Sequence, residues 1–272
     1  MAEPLPVGSA AIVVNVGLPI EVFTYKPATY TNGPLILVFH GVARNAADYR
    51  NFAINLAERF GAIVAAPRFD KERFPYEAYQ RGGITKGDQA QPREVWTFSM
   101  VPRLLEQLRQ AENRPELPVY FIGHSAGGQF LVRMAALAGA QGATRVIAAN
   151  PGSHLFPARE ADFGYGFGNL PESLSNDDAI RHYLEAPLTL YLGTADLDPD
   201  DEHLDRRPAA MGQGRTRYER GLACFAAAQE LARARGWVCN WRKVEASGIA
   251  HDAARMFAAC EAEDAIFGAD TP

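Results

Sequence analysis

A serine lies between glycines at positions 123–127, where the sequence reads Gly-His-Ser-Ala-Gly. The apolar run PVYFIG precedes it, and a segment of helical composition follows. This arrangement fits the G-x-S-x-G pattern, in which a sharp turn between a strand and a helix holds a nucleophilic serine above a sheet. Side chains at Gly123 and Gly127 would clash where helix and strand pass closely. The pattern predicts that Ser125 is a nucleophile and that the backbone N–H of Ala126 stabilises a developing oxyanion.

A nucleophile of this kind needs a second oxyanion donor, from the loop after an earlier strand. The sequence at 37–49, LVFHGVARNAADY, provides such a loop, and the residue after its His-Gly pair is Val42. We therefore expect the backbone N–H of Val42 to be the second donor. His40 precedes the nucleophile in the chain, so it is interpreted as a residue that braces this loop and not as a base. Arg44 is interpreted as a residue that orders the loop or contacts substrate, and both are included among the substrate-binding candidates.

An acid and a histidine follow the serine in the chain order that this chemistry requires. The apolar run LTLYLG leads into TADLDPDDEHLD, and the later run VCNWRKVEA leads into SGIAHDAARMF. His251 is the predicted base, because the other histidines come too early in the chain or lie beside the serine. Asp196 is the predicted acid. Asp198 is disfavoured because it directly precedes a proline, which pushes its backbone towards an extended conformation away from the turn.

The expected roles follow from the chemistry of a hydroxyl group. Serine is a weak nucleophile until an adjacent base takes its proton. His251 would take that proton and return it to the leaving group, while Asp196 would orient the imidazole and stabilise the imidazolium. All of these groups belong to the protein, so we expect neither a cofactor nor a metal.

The acidic run at 196–205, DLDPDDEHLD, is similar to the start of a calcium-binding loop. Its aspartates at 196, 198 and 200 occupy the first, third and fifth positions of such a loop. However, the sixth position is Asp201, where a calcium loop needs glycine, and the twelfth is Arg207, where it needs glutamate. The run is therefore interpreted as a solvated loop that carries one catalytic acid.

These residues must be positioned by a sheet, and the apolar runs of the sequence indicate one. From the third run onward, strand-like runs alternate with helix-like segments, which indicates an α/β fold with a mostly parallel, eight-stranded sheet covered by helices on both faces. The first two runs are closely spaced and predict an antiparallel hairpin. The strand-like runs are 9–16, 20–25, 35–40, 62–67, 119–123, 145–150, 188–193 and 238–246, and the helix-like segments are 47–60, 92–112, 125–138, 176–185, 215–235 and 251–267.

Two segments, 68–91 and 151–175, are too long to be simple connections. Both follow a strand, so we expect both at the carboxyl edge of the sheet, where ligands bind in open α/β folds. Their glycines and aromatic side chains predict a substrate pocket, and the alternative is that several of the rings pack in the core. The predicted pocket residues are Phe74, Tyr79, Phe156 and Phe167.

Composition excludes several classes of protein. The chain of 272 residues has a formal net charge of −5 and no basic block, so nucleic-acid binding is not expected. No apolar run reaches about 18 residues, so no membrane span is expected. The N-terminal residues lack a signal-peptide pattern, which favours a cytoplasmic protein, or a periplasmic or secreted one if a leader has been removed. The cysteines form no C-x-x-C pair, although a Cys239–Cys260 bridge is left open. Residues 1–272 are interpreted as a single domain.

The chain resembles the α/β-hydrolase superfamily over nearly its whole length. The matching residues are HGVARN (40–45), GHSAGG (123–128), GTADLD (193–198) and GIAHD (248–252). Within the superfamily the chain is similar to bacterial esterases related to polyhydroxybutyrate depolymerases and feruloyl esterases, on the basis of HG-x-x-x-N and of NPGSHLFP (150–157). The resemblance implies ester hydrolysis through an acyl-serine, with Ser125, Asp196 and His251 as a triad and no cofactor. Secreted members usually carry leaders and disulfides that this chain does not show, which weighs against a polymeric substrate and export.

The sequence therefore predicts a carboxylic ester hydrolase that acts on a small-molecule ester with a short or aromatic acyl group. Insoluble long-chain fats are expected to be poor substrates, because no long apolar helix is present to form a lipase lid. Amide or peptide hydrolysis, acyl transfer and polyester depolymerisation stay open, because all of them use the same motifs. A non-catalytic binding protein is the least favoured alternative, since every member of the expected triad is present. The oligomeric state is left open.

Overall fold

The computed structural model describes residues 3–87 and 89–268, and most of its strands form one sheet. The strands are β1 (Gly8–Asn15), β2 (Pro19–Lys26), β3 (Leu35–Phe39), β4 (Ile63–Pro67), β5 (Thr85–Lys86), β6 (Gln89–Ala90), β7 (Val119–His124), β8 (Arg145–Ala149), β9 (Leu188–Gly193) and β10 (Arg242–Ala246). The sheet has the order β1-β2-β4-β3-β7-β8-β9-β10, and β5 pairs separately with β6. β1 and β4 run antiparallel to β2, and the other neighbouring pairs of the sheet are parallel. The expected mostly parallel, eight-stranded sheet with an antiparallel entry is confirmed.

Helices connect most of these strands. They are α1 (Ala46–Phe52), α2 (Ile54–Phe60), α3 (Tyr76–Tyr79), α4 (Met100–Ala111), α5 (Ala126–Leu137), α6 (Glu172–Ser175), α7 (Asp177–Glu185), α8 (Pro208–Met211), α9 (Arg217–Arg235), α10 (Ala253–Ala258) and α11 (Glu261–Phe267). Among the described residues, no helix combines the length and the apolar composition that crossing a bilayer requires.

Three expected helices are interrupted. The segment 47–60 forms α1 and α2, which meet at Ala53. The segment 251–267 forms α10 and α11, because Ala259 has an extended backbone with a ψ of 152°. The segment 92–112 becomes α-helical only from α4 onward, because the extended backbone of Trp96 separates two short 3-10 turns that precede it.

The last strand is shorter than the sequence predicted. The run 238–246 was expected to be a strand throughout, but only β10 pairs with β9. Asn240 binds the end of α7 instead, because its backbone N–H donates to the Leu184 carbonyl at 2.9 Å and its side chain donates to the Glu185 carbonyl at 2.8 Å. These bonds hold the residues before β10 outside the sheet.

An apolar layer covers each face of the sheet. Side chains alternate along β3, so that Leu35, Leu37 and Phe39 belong to the cluster that includes residues of α4, α5 and α9. Ile36 and Val38 join the opposite cluster, which includes residues of α1, α2, α10 and α11. Every residue of β3 is buried, so this strand lies at the centre of the molecule.

The cysteines are free thiols. The bridge between Cys239 and Cys260 that the sequence left open does not form. Cys260 is exposed, whereas Cys239 is half-buried, and burial raises the pKa of its thiol. The fold therefore depends on packing and hydrogen bonds, without a covalent link between these segments.

Asn150, which follows β8, links two loops at the carboxyl edge of the sheet. Its backbone is left-handed, with a φ of 42°. Its Oδ1 accepts a hydrogen bond from the backbone N–H of Gly193 at 2.7 Å, and its Nδ2 donates to the Ala250 carbonyl at 3.3 Å. Asn150 thus ties the loop that leads to His251 to the end of β9. Sequence reasoning did not single out this residue.

The turn from β7 into α5 depends on direct contact between backbones. A Cβ atom on Gly127 would lie 2.1 Å from the Phe39 carbonyl oxygen, and one on Gly123 would lie 2.5 Å from the Gly127 carbonyl carbon. Neither position has room for a side chain, so the steric need for glycine that the sequence indicated is present. Ser125, between them, has a φ of 57° and a ψ of −113°.

Gly127→Ala should lower the free energy of unfolding by about 1–3 kcal/mol, because the added methyl group overpacks the contact with the end of β3. Gly212→Ala is the matched control, since a Cβ atom there would lie 3.5 Å from its nearest neighbour and the backbone φ is −63°. Urea unfolding of both variants measures the difference. Equal free energies of unfolding for the two variants would contradict this prediction.

Candidate active site

His251 and Asp196 form a hydrogen bond at the carboxyl edge of the sheet. The distance between His251 Nδ1 and Asp196 Oδ2 is 2.7 Å. Asp196 is buried, with 2% of its surface exposed, whereas the side chain of His251 keeps 19% exposed. Asp198 is exposed, and its Oδ1 accepts a hydrogen bond from the backbone N–H of Asp200. The structure brings Asp196, and not Asp198, against the histidine.

A tight turn after β9 carries Asp196 to this position. The backbone N–H of Asp196 donates to the Gly193 carbonyl at 3.0 Å and closes the turn. The N–H of Ala195 donates to the Ile249 carbonyl, also at 3.0 Å, and joins this turn to the loop after β10. His251 lies two residues beyond that bond, so the acid and the histidine are held together by the backbone as well as by their side chains.

His124, directly before Ser125, packs against His251. The centroids of the two imidazole rings lie 4.5 Å apart. Burial, together with repulsion from His251 and Arg217, holds the pKa of His124 well below its usual range. His124 Nδ1 lies 3.3 Å from the Tyr49 hydroxyl. A neutral imidazole therefore supports one face of His251, a contact that the sequence did not reveal.

Two backbone amides lie on adjacent segments beside the serine. Ala126 is the first residue of α5, so its N–H has no acceptor within the helix. Val42 lies in a turn closed by the Arg44 N–H and the Gly41 carbonyl at 3.2 Å. The first turn of α5 packs directly against the end of β3, which places these segments side by side. This arrangement suits the two oxyanion donors expected from the sequence.

His40 braces the loop that carries Val42. Its Nε2 accepts a hydrogen bond from the backbone N–H of Phe69 at 3.0 Å, so its Nδ1 carries the proton and donates to the Gly41 carbonyl at 3.0 Å. The residue is fully buried, and burial lowers the pKa of its imidazole to about 3. His40 therefore supports the loop as interpreted from the sequence, and its buried side chain has no surface open to a substrate in this structure.

Arg44 and most of the predicted pocket residues also lie in the core. Arg44 Nη2 donates to the Phe74 carbonyl at 2.9 Å, and the guanidinium lies 4.1 Å from the centroid of the Tyr79 ring. Arg44, Phe74, Tyr79 and Phe167 are buried, whereas Phe156 is partly exposed. The four buried side chains therefore expose little surface to a substrate in this structure. The rings of Phe74, Tyr79 and Phe167 pack in the core, which is the alternative that the sequence had left open.

A cluster of aromatic and charged side chains joins the two long segments to the acidic loop. Arg207 Nη2 donates to the Tyr76 hydroxyl at 2.7 Å and pairs with Asp205 Oδ2 at 2.6 Å. The Tyr165 hydroxyl donates to the same oxygen of Asp205 at 2.7 Å. These contacts link the two long segments to the acidic run, and no sequence pattern had paired these residues.

The acidic run turns two of its aspartates towards a buried arginine. Arg217 Nη1 lies 3.5 Å from Asp196 Oδ1, and its Nη2 lies 2.7 Å from Asp201 Oδ1. Sequence reasoning missed Arg217, because only its burial distinguishes it from other arginines. Among residues 3–87 and 89–268, no group of three or more His, Cys, Asp or Glu side chains is arranged to hold a metal ion.

Two solved structures match nearly the whole chain at more than 30% identity. LpqC, a poly(3-hydroxybutyrate) depolymerase from Bordetella parapertussis, is 35% identical with a TM-score of 0.86, over 95% of this chain and 90% of its own. Poly(aspartic acid) hydrolase-1 from Sphingomonas sp. KT-1 is 32% identical with a TM-score of 0.85, over 93% of this chain and 96% of its own. The chain belongs to the α/β-hydrolase superfamily. The family and the fold expected from the sequence are confirmed, and the protein is a hydrolytic enzyme.

A more distant structure shares the fold. The siderophore hydrolase EstB from Aspergillus nidulans is 17% identical with a TM-score of 0.53, over 100% of this chain and 99% of its own. No protein-family model and no curated protein matches the chain. The family assignment therefore depends on the two closer structures.

The buried histidines of this α/β-hydrolase should make its stability fall in acid. Burial lowers the pKa of His40 and of His154 to about 3, against about 6.5 in an unfolded chain. Between these values the unfolded chain binds more protons, so the free energy of unfolding rises with pH, by up to about 1.4 kcal/mol per pH unit for each group. Above about 6.5 this contribution is fully present.

Urea unfolding between pH 4 and pH 7 measures this slope. His154→Leu should have a slope that is shallower by one proton than wild type, because leucine binds no proton in either state. The substitution removes no hydrogen bond, since neither ring nitrogen of His154 has a partner. Identical slopes for the variant and the wild type would show that His154 is not buried in its neutral form.

Proposed function

We propose that this hydrolase cleaves carboxylic esters through an acyl-serine intermediate, with Ser125 as nucleophile, His251 as base and Asp196 as acid. The observation that carries the proposal is the 2.7 Å hydrogen bond between His251 Nδ1 and Asp196 Oδ2, formed at the edge of the sheet where Ser125 begins α5. A carboxylate on Nδ1 holds the proton there, which leaves Nε2 free to accept a proton from a hydroxyl group.

The reaction follows from this tautomer. As the Ser125 oxygen attacks the ester carbonyl carbon, His251 Nε2 takes the hydroxyl proton. The carbonyl oxygen becomes an oxyanion, which the N–H groups of Val42 and Ala126 would stabilise. His251 then protonates the departing alcohol, and water, activated by the same imidazole, releases the acid from the serine. Asp196 stabilises the imidazolium in both steps.

The accessible apolar surface supports a modest substrate. Most aromatic side chains of the long segments are buried. The loops that follow β3, β8 and β9 keep a few accessible apolar side chains, among them the partly exposed Val42 and Phe156 and Leu197, which is 50% exposed. Short or aromatic acyl groups suit such a limited surface better than long chains. A short-acyl or aromatic ester is therefore the proposed substrate class.

Hydrolysis of a polymer is a second candidate. It is favoured by the similarity, over nearly the whole chain, to two enzymes that are named for polymers, poly(3-hydroxybutyrate) and poly(aspartic acid). The first is a polyester, so the same acyl-serine chemistry would apply to it.

Ser125→Ala should reduce turnover of p-nitrophenyl butyrate by at least about 10³-fold, because removal of a triad member leaves only oxyanion stabilisation and binding. A fluorophosphonate probe should add mass to the wild type at Ser125. Ser247→Ala, which removes an exposed hydroxyl from the loop before His251, is the matched control and should keep wild-type activity. Full activity of Ser125→Ala, or labelling of another residue, would refute the proposed nucleophile.

The substrate class can be tested with a series of p-nitrophenyl esters and two polymers. Acetyl and butyryl esters should give a higher kcat/KM than palmitoyl esters, and Leu197→Ala should change this preference because it removes accessible apolar surface. Val238→Ala is the control, since Val238 is 60% exposed but precedes β10 at the opposite edge of the sheet. Soluble products released from poly(3-hydroxybutyrate) or poly(aspartic acid) faster than from the small esters would favour the polymer candidate instead.

A further inference from the structure

Arg217 is a buried cation that lies directly behind the candidate acid. It is 1% exposed, and a buried charge of this kind is costly unless it is paired. Its two nearest anions are Asp196 Oδ1 at 3.5 Å and Asp201 Oδ1 at 2.7 Å. Asp196 therefore faces His251 with one carboxylate oxygen and Arg217 with the other.

The start of α9 holds Arg217 in place. Thr216 caps this helix, because its hydroxyl oxygen accepts from the Glu219 N–H at 3.2 Å and its own N–H donates to Glu219 Oε2 at 3.3 Å. The N–H of Tyr218 donates to the Asp196 carbonyl at 3.3 Å. The guanidinium and the first turn of a 19-residue helix thus both bring positive potential to the acid.

Asp201 offsets this positive charge. A hydrogen bond from Arg217 lowers the pKa of Asp201 to about 2, so this carboxylate is ionised at neutral pH. With Asp196 as the catalytic carboxylate, the three side chains carry one net negative charge, which equals the positive charge that His251 acquires when it takes a proton. The net charge of the cluster therefore complements the charged imidazolium and not the neutral imidazole.

The other groups that face His251 do not supply this balance. His124 stacks on it as a buried, neutral ring. The carboxylate of Asp252 turns away to cap α10, where its Oδ1 accepts from the Arg255 N–H at 3.0 Å. Among the described residues, the charged groups linked to His251 by side-chain contacts are thus Asp196 and the pair behind it.

We propose that Arg217 and Asp201 set the basicity of His251 through Asp196. Arg217 is a positioning residue, because it contacts the acid and not the reacting atoms. Its positive charge reduces the electrostatic stabilisation that Asp196 gives to the His251 imidazolium, and the negative charge of Asp201 restores part of it. This inference rests on the proposed function, since it assigns His251 as the base and Asp196 as its partner.

Opposite shifts of the pH profile test the proposal. Asp201→Asn removes a negative charge, so the midpoint of the acidic limb of kcat/KM for p-nitrophenyl butyrate should move to lower pH by about half a unit or more. Arg217→Met removes a positive charge and should move the midpoint to higher pH by a similar amount, while Arg217→Lys should keep it near the wild-type value. Asp198→Asn makes the same chemical change as Asp201→Asn on an exposed side chain outside the cluster, and should leave the midpoint unchanged.

An NMR titration of the His251 ring in the same variants gives a readout that does not depend on turnover. Its midpoint should move in the same two directions. A loss of activity in both variants with no shift, or shifts of the same sign, would overturn the proposal and leave a purely structural role for Arg217. If Arg217→Met does not fold, Asp201→Asn decides alone, because its side chain is partly exposed and a midpoint that stays or rises would refute the proposal.

The controls separate this proposal from the proposed function. Full activity of Ser125→Ala would refute the acyl-serine mechanism whatever the pH profiles show. Loss of activity in Ser125→Ala together with unchanged midpoints in the charge variants would refute only the role of Arg217 and Asp201.

Discussion

The contact between the first turn of α5 and the end of β3 is the constraint on which the rest of the site depends. The helix backbone approaches the strand so closely that a single methyl group on Gly127 would overlap a carbonyl oxygen. This approach requires a sharp turn, in which Ser125 has a positive φ. Such a backbone conformation typically raises the energy of a residue by about 1–3 kcal/mol. The neighbouring strand compensates, because the Ser125 N–H donates to the Ala149 carbonyl at 3.0 Å and extends the ladder beyond β7.

The same contact explains why the serine and the loop that carries Val42 come together. Since the first turn of α5 packs against the end of β3, the amide of Ala126 and the turn around Val42 are placed by backbone packing and not by side-chain contacts. His40 braces that turn, because both of its ring nitrogens form hydrogen bonds with the backbone. The geometry of the candidate site therefore depends on the edge of the sheet, and substitutions of surface residues in the loops should affect it little.

Histidines in this protein differ in chemistry because their surroundings differ. His40, His124 and His154 are buried without a carboxylate partner, so desolvation keeps them neutral. His251 is partly exposed and bonded to a carboxylate, which stabilises the imidazolium that proton transfer creates. This environment suits the proposed role of His251 as a base that gains and loses a proton in each turnover.

Several features could be predicted from the sequence because they depend on neighbours in the chain. The alternation of apolar runs with helical segments indicated the parallel sheet, and the carboxyl ends of parallel strands had to place Ser125, Asp196 and His251 at one edge. The proline after Asp198 was enough to favour Asp196, and the structure places that residue against the histidine. Glycine spacing around Ser125 indicated close packing, since no other residue lacks a Cβ atom.

Other features were decided only by the tertiary structure, because they depend on segments that are far apart in the chain. An aromatic residue in a long loop can cover the core or line a pocket, and Phe167 is buried because Tyr183 of α7 packs against it, with ring centroids 5.8 Å apart. Arg217 became recognisable only when α9 brought it against two aspartates of another loop. The arrangement of charges around His251 is thus a property of the folded chain, since no local pattern records which charges meet after the helices pack.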